Sequence, residues 1–136
     1  MQLVADANVL LSAIIGGRAG LILQHADVEA VFTPAVAIDE VHKYLPILAR
    51  KRDLRIETLL LTLAALPVTV MDATEYQSHI GEAERRIRRR DPKVVDVLAL
   101  SLHLALPVWS NDNDFEAGGV EWHTTAEVLK ALGIHT

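Results

Sequence analysis

The feature that most constrains this fold is an alternation of short apolar runs with longer helical patterns along the whole chain. Runs such as "LVA" and "VTVM" lack strict polar alternation, which is typical of strands buried on both faces. Strands that alternate with helices predict βαβ units and a mainly parallel sheet with helices on both sides. The fold class is therefore α/β, and the predicted strands cover residues 2–6, 29–33, 67–71, 107–110 and 120–124.

The predicted helices fill the intervals between these strands. Pro46 is expected to kink or divide the helix that follows the second strand. Asp91 and Pro92 are typical of an N-cap and a first helical residue. The predicted helices cover residues 8–16, 19–26, 35–52, 54–66, 74–90, 92–106 and 125–133.

Composition indicates one globular domain over residues 1–136. The sequence is 51% hydrophobic and 23% charged, which excludes a disordered chain, and it shows no linker or repeat. It has no Cys, so disulfides and thiolate metal sites are excluded and a cytoplasmic location is expected. We expect neither a signal peptide nor a membrane span. The net charge of −5 argues mildly against a nucleic-acid partner, although a local field can have the opposite sign.

Two strand-like runs far apart in sequence both end on aspartate. "LVADAN" (3–8) carries Asp6, and "VWSNDNDF" (108–115) carries Asp112 and Asp114. In open α/β sheets, ligands bind beyond the carboxyl ends of the strands. Each segment alone is equally compatible with helix capping or a turn. Two equivalent strand ends together favour a shared site.

Two further pairs of acids lie on predicted helices. Asp39 and Glu40 are consecutive and point about 100° apart, so one of them at most can face a given pocket. The sequence does not decide between them, and a solvated pair is the alternative. Asp91 and Asp96 lie near a helix N-terminus, where the backbone dipole favours negative charge without any ligand. For Asp91 the N-cap role is favoured.

Several carboxylates in one cleft favour a bound cation. Like charges oppose joint ionisation and raise pKa values unless a cation enters. Oxygen ligands without Cys or paired His indicate Mg²⁺ or Mn²⁺. A water polarised by such an ion could attack phosphorus. The chemistry that these residues indicate is metal-assisted phosphodiester hydrolysis.

Three segments together resemble the PIN domain, the nuclease fold of VapC-type toxins and related ribonucleases. They are "LVADANVLLSAII", "TPAVAIDEV" and "DPKVVDVLALSLHLALPVWSNDNDF". The resemblance implies a three-layer α/β/α sandwich with a five-stranded parallel sheet. It also implies an Mg²⁺- or Mn²⁺-dependent endoribonuclease that cleaves RNA as the toxin of a toxin–antitoxin pair. A homodimer and an antitoxin partner are implied as well.

The resemblance also assigns roles to individual residues. Asp6 and Asp112 match metal-binding catalytic acids, and Glu40 matches the catalytic acid on the helix. The remaining matches are supporting positions at the same edge: Asp114 near the metal, with Asn8 and Ser110 as hydrogen-bonding positions expected on the substrate side.

Val94 departs from the family pattern. Counting back about 18 residues from Asp112 lands on Val94, where the family usually has another metal-binding Asp. On a helix, Asp91 lies roughly 60° from position 94 and Asp96 about 200° away, so Asp91 is the better substitute ligand and Asp96 the poorer one. Val94 predicts weakened metal binding. The alternative function is a weakened or inactive RNA- or protein-binding module.

A run of arginines in "ERRIRRR" could hold the substrate. Five guanidinium groups beside a metal site would attract phosphate. The alternative is a solvated face paired with Glu82 and Glu84. A third class of function, a phospho-accepting receiver, is disfavoured because "LVADAN" has one acid and "VEWHT" has no Lys. The arginines are Arg85, Arg86, Arg88, Arg89 and Arg90.

Overall fold

The computed structural model describes residues 1–87 and 92–135. Within these residues it contains one sheet of five parallel strands in the order β3-β2-β1-β4-β5. The predicted α/β class and the parallel sheet are confirmed. The strands are β1 (Gln2–Ala5), β2 (Ala30–Pro34), β3 (Thr69–Met71), β4 (Val108–Trp109) and β5 (Trp122–His123).

Helices connect the strands and cover both faces of the sheet. Two short 3₁₀ segments, Gln77–His79 and Asn113–Gly118, join longer elements. The helices are α1 (Ala7–Ile14), α2 (Ala19–Leu23), α3 (Ala35–Lys51), α4 (Ile56–Ala65), α5 (Ala73–Tyr76), α6 (Ile80–Ile87), α7 (Pro92–Leu104) and α8 (Thr125–Ala131). Across the described parts of the chain, no helix is both long and apolar enough to cross a membrane.

The structure narrows one helix prediction and corrects another. Pro46 lies inside α3 without dividing it, because a buried stripe of Ala37, Val41, Leu45 and Ala49 holds the helix against the core on both sides of the proline, and a kink at Pro46 stays a prediction. The single helix predicted over residues 74–90 is instead α5, a 3₁₀ turn and α6. Its last residues, 88–90, lie outside the described residues.

The core consists of two apolar clusters, one on each face of the sheet. Leu3 and Ala5 of β1 belong to the cluster under α1–α4 and α8, and Val4 belongs to the cluster under α5–α7. In β4, Val108 and Trp109 likewise point to opposite faces. Such alternation is the normal pleat of a strand. It confirms the three-layer α/β/α sandwich.

The chain begins in the middle of the sheet at β1, adds β2 and β3 on one side, and then crosses over to add β4 and β5 on the other. β1 therefore pairs with β2 on one side and with β4 on the other. In a parallel sheet, the crevice for a ligand lies outside the carboxyl ends of the strands at such a switch point. Asp6 directly follows β1, and Asp112 follows β4. The fold therefore brings the two predicted acids to the same crevice.

Candidate active site at the β1/β4 switch point

A pocket of about 180 Å³ opens beyond the carboxyl ends of β1 and β4. We call it the acidic pocket. It collects side chains from α1, α3, α7 and the segment after β4. Its lining residues are Asp6, Ala7, Asn8, Val36, Ala37, Glu40, Lys93, Val94, Val97, Asp112 and Phe115.

Asp6 serves both as a helix cap and as part of the pocket. Its Oδ1 accepts a hydrogen bond of 3.1 Å from the backbone N–H of Val9, which makes Asp6 the N-cap of α1. Its Oδ2 accepts a short hydrogen bond from the hydroxyl of Ser110, the residue after β4. Asp6 therefore caps a helix, as one interpretation of the sequence predicts, and also lines one pocket with Asp112.

Ser110 links the two strand-end acids. Its hydroxyl donates to Asp6 and accepts a 2.9 Å hydrogen bond from the backbone N–H of Asp112. The indole of Trp122 donates to the Ser110 carbonyl at 2.8 Å and fixes the segment from behind. Ser110 is fully buried, and its hydroxyl is engaged by Asp6 and Asp112. The structure thus shows it holding the two acids in place, and contact with substrate stays a prediction.

Asp112 is oriented by a local turn. Its Oδ1 accepts a 2.9 Å hydrogen bond from the backbone N–H of Asp114, in the 3₁₀ segment that follows. Asp114 itself lines a neighbouring cavity with Ile87 and Glu116, outside the acidic pocket. The Asp114 side chain therefore does not line the acidic pocket, where a supporting role near the metal is expected. Its backbone N–H, in contrast, orients Asp112.

The structure distinguishes between the two acids on α3. Glu40 lines the acidic pocket, whereas Asp39, about 100° further round the helix, is exposed and outside the lining. Glu40 forms an ion pair with Lys93, in the first turn of α7, and its Oε1 lies 2.9 Å from the Lys93 Nζ. This hydrogen bond is the main cause of a raised pKa for Lys93. Sequence reasoning missed Lys93.

Negative charge accumulates around Asp6. Burial is the main reason that its pKa is raised, and the charges of Asp112 and Glu40 raise it further. The hydrogen bonds from Ser110 and Val9 act in the opposite direction. Burial and the neighbouring carboxylates thus disfavour an ionised Asp6, and a bound cation would offset that cost.

Val94 lies on the pocket wall at the position where the family resemblance implies an acid. It is 5% exposed and lines the pocket together with Val97, one turn later on the same face of α7. Asp91 lies outside the described residues. Asp96, the poorer substitute ligand in the sequence analysis, lines a different cavity with Ile80 and Glu84, so the structure does not bring it to the acidic pocket.

Asp96 instead accepts a 2.5 Å hydrogen bond from the hydroxyl of Tyr76, which is completely buried. Burial is the main reason that the pKa of the Tyr76 phenol is raised, and this hydrogen bond raises it further.

We expect Tyr76→Phe to lower the free energy of unfolding by about 1–2 kcal/mol, because it removes a donor from a partly buried carboxylate. Urea denaturation measures this. In a cycle with Asp96→Asn the losses should not add; additive losses would contradict the pairing.

The two described arginines of the basic run are engaged within the chain. Arg85 and Arg86 both contact Glu82, at 2.6 and 3.1 Å, and Arg86 also donates to the carbonyl of Gly118. The alternative interpretation, a solvated face paired with Glu82 and Glu84, is confirmed for Glu82 and these two arginines. Contact with a substrate stays a prediction for these two residues. The rest of the run, Arg88, Arg89 and Arg90, lies outside the described residues.

The donor set agrees in kind with a hard divalent cation, but the number of ligands is small. Asp6, Asp112 and Glu40 offer carboxylate oxygens, and the exposed amide of Asn8 lines the same pocket. Within residues 1–87 and 92–135, no three acidic or histidine side chains are grouped so as to hold a metal ion. Mg²⁺ is commonly held by one or two carboxylates, several waters and substrate phosphates. Asp6 and Asp112 fit that pattern.

Comparisons with known proteins agree with the fold. A family model described as "PIN domain" matches residues 4–133. VapBC2 from Rickettsia felis, solved bound to a DNA fragment from its promoter, is 10% identical, with a TM-score of 0.72 over 91% of this chain and 98% of that one. FitAcB from Neisseria gonorrhoeae is 15% identical, with a TM-score of 0.62 over 93% and 99%. No curated protein matches significantly.

Proposed function

Because this chain belongs to the PIN-domain family, we propose that it is a divalent-metal-dependent endoribonuclease that hydrolyses phosphodiester bonds of RNA. The observation that carries the proposal is the convergence of Asp6, Glu40 and Asp112 on one pocket at the switch point of the sheet. A hydrolytic role is typical of the family.

Each acid has a distinct part in the proposed reaction. Asp6 and Asp112, joined through Ser110, would hold Mg²⁺ or Mn²⁺, which supplies Lewis-acid polarisation and charge neutralisation when bound. Glu40, on α3, lines the same pocket, where its carboxylate could add a further oxygen ligand to the ion or orient a water. Asn8 lies at the exposed rim and can donate to a phosphate oxygen.

The proposed biological setting is a cytoplasmic toxin with an antitoxin partner. Support comes from the fold shared with VapBC2 and FitAcB. We propose a homodimer, as the family resemblance implies, and a single-stranded or structured RNA substrate. The arginine run that begins at Arg85 would attract this RNA, so binding should weaken steeply between low and moderate salt. Salt-independent binding would count against that surface.

A second candidate function is a weakened or non-catalytic module that binds RNA or protein. Val94 on the pocket wall and the Glu40–Lys93 ion pair favour it, because both reduce the negative charge available to a metal. The two candidates differ in one measurement. A module binds RNA without cutting it at millimolar Mn²⁺, whereas an enzyme cuts it.

Asp112→Asn is the variant that tests the enzyme. We expect RNA cleavage in Mn²⁺ to fall at least about 100-fold, because the substitution removes one carboxylate of the proposed metal pair. A fluorescently labelled RNA resolved on a gel measures the rate, with EDTA as the metal-free reference. Asp114→Asn is the matched control and should retain the rate within a few fold. Equal loss in both variants, or cleavage in EDTA, would contradict the proposed ligands.

A further inference from the structure

The acidic pocket already contains a cation from its own chain. The ammonium of Lys93 lies 2.9 Å from Oε1 of Glu40 and 5.4 Å from the centre of the Tyr44 ring. Glu40 and Tyr44 are four residues apart on α3, so they present two contacts on one helix face. The ammonium thus joins α7 to α3 at the pocket wall.

The dipole of its own helix does not favour positive charge at the position of Lys93. This lysine lies in the first turn of α7, where the helix dipole disfavours positive charge. Its contacts with Glu40 and Tyr44 come from another helix and offset that repulsion. Breaches of a local rule concentrate at functional sites. The location therefore indicates a role in the pocket rather than in the helix.

Glu40 has the greater need of the pair. Its side chain is 14% exposed, whereas that of Lys93 is 52% exposed. A mostly exposed lysine gains little from such a contact, but a largely buried carboxylate needs a compensating charge. Lys93 provides it in the pocket that Asp6 and Asp112 also line.

We propose that Lys93 is a built-in counter-ion that competes with a divalent cation for Glu40 and thereby sets the metal affinity of the acidic pocket. The inference rests on the proposed metal-dependent function. The pocket has Val94 where the family resemblance implies an acid, and its lining also includes the positive charge of Lys93. A divalent ion that uses Glu40 must first displace the ammonium.

The test is Mn²⁺ binding by calorimetry to the 136-residue chain. We expect Lys93→Met to bind Mn²⁺ about fivefold more tightly than the native chain. Lys93→Arg keeps the charge and should stay within twofold. Lys43→Met is the matched control, because Lys43 lies 5.9 Å from the same Tyr44 ring but outside the pocket lining. It should also stay within twofold.

A double-mutant cycle ties the effect to Glu40. Lys93→Met should give no gain in a Glu40→Gln background, because the carboxylate that the ammonium blocks is absent. The same gain with Gln at position 40 would overturn the proposal, as would unchanged Mn²⁺ affinity with weaker RNA binding, which would place the ammonium on phosphate. Absence of Mn²⁺ binding in every variant would overturn it too. RNA cleavage by the native chain, scored separately against Asp112→Asn, tests the underlying function.

Discussion

Replacing Asp6 by Asn should stabilise the metal-free protein at neutral pH and at the same time reduce RNA cleavage at least about 100-fold. Asn retains the N-cap of α1, since it caps as well as Asp. It removes a charge that burial and two neighbouring carboxylates disfavour. Because the pKa of this buried carboxyl is raised in the folded state, we expect the metal-free variant to unfold at a higher temperature than the native chain.

The pH dependence of that gain identifies its cause. The pKa of Asp6 is raised in the folded state, mainly by burial, so the folded chain holds this proton more tightly than the unfolded chain. The contribution of Asp6 to stability is therefore fully present below the unfolded pKa and is lost as pH rises through the folded pKa. The advantage of Asp6→Asn should vanish below the unfolded pKa of Asp6 and grow as the pH rises from there through the folded pKa.

Thermal melts in EDTA across this range measure the effect, and Asp39→Asn serves as the control for an exposed acid on the adjacent helix. The control should leave the pH profile nearly parallel to that of the native chain. If Asp6→Asn melts below the native protein at neutral pH, the hydrogen bonds from Ser110 and Val9 outweigh the cost of burial. An ionised Asp6 would then not destabilise the metal-free protein.

The sheet and the two strand-end acids were predictable because they depend on local pattern and on a general rule of parallel sheets. Unbroken apolar runs identify doubly buried strands, and parallel strands end at one edge. Asp6 and Asp112 follow directly from those two facts. The choice of Glu40 over Asp39 came from the resemblance alone, since the sequence gives no helix rotation.

Contacts between distant helices could not be predicted in this way. The sequence around Lys93 is typical of a solvated residue, and its ion pair with Glu40 forms only because α7 packs beside α3. Asp96 reads as a candidate ligand until Tyr76, 20 residues earlier, is found against it. The same contact explains the broken helix over residues 74–90. Tyr76 must enter the core beside α7, so the chain turns there instead of continuing an amphipathic helix.

Restoring an acid at position 94 should have the largest effect on metal binding. We expect Val94→Asp to raise Mn²⁺ affinity about tenfold or more and to increase cleavage in parallel, because it adds a carboxylate to the wall of the acidic pocket. The metal-free variant should lose about 1–3 kcal/mol, since a buried isopropyl group becomes a charge near three others. Saturating Mn²⁺ should recover that loss through binding to the folded state.

Calorimetry and thermal melts with and without Mn²⁺ separate these contributions. Val94→Asn is the matched control: it has a similar size and buries a polar group but adds no charge, so it should lose stability without gaining affinity. If Val94→Asp binds Mn²⁺ no more tightly than the native chain, either the cation lies away from α7 or another acid already compensates. A gain for Asp but not Asn would instead indicate that the native pocket is one carboxylate short, and that its charge rather than its shape limits the metal.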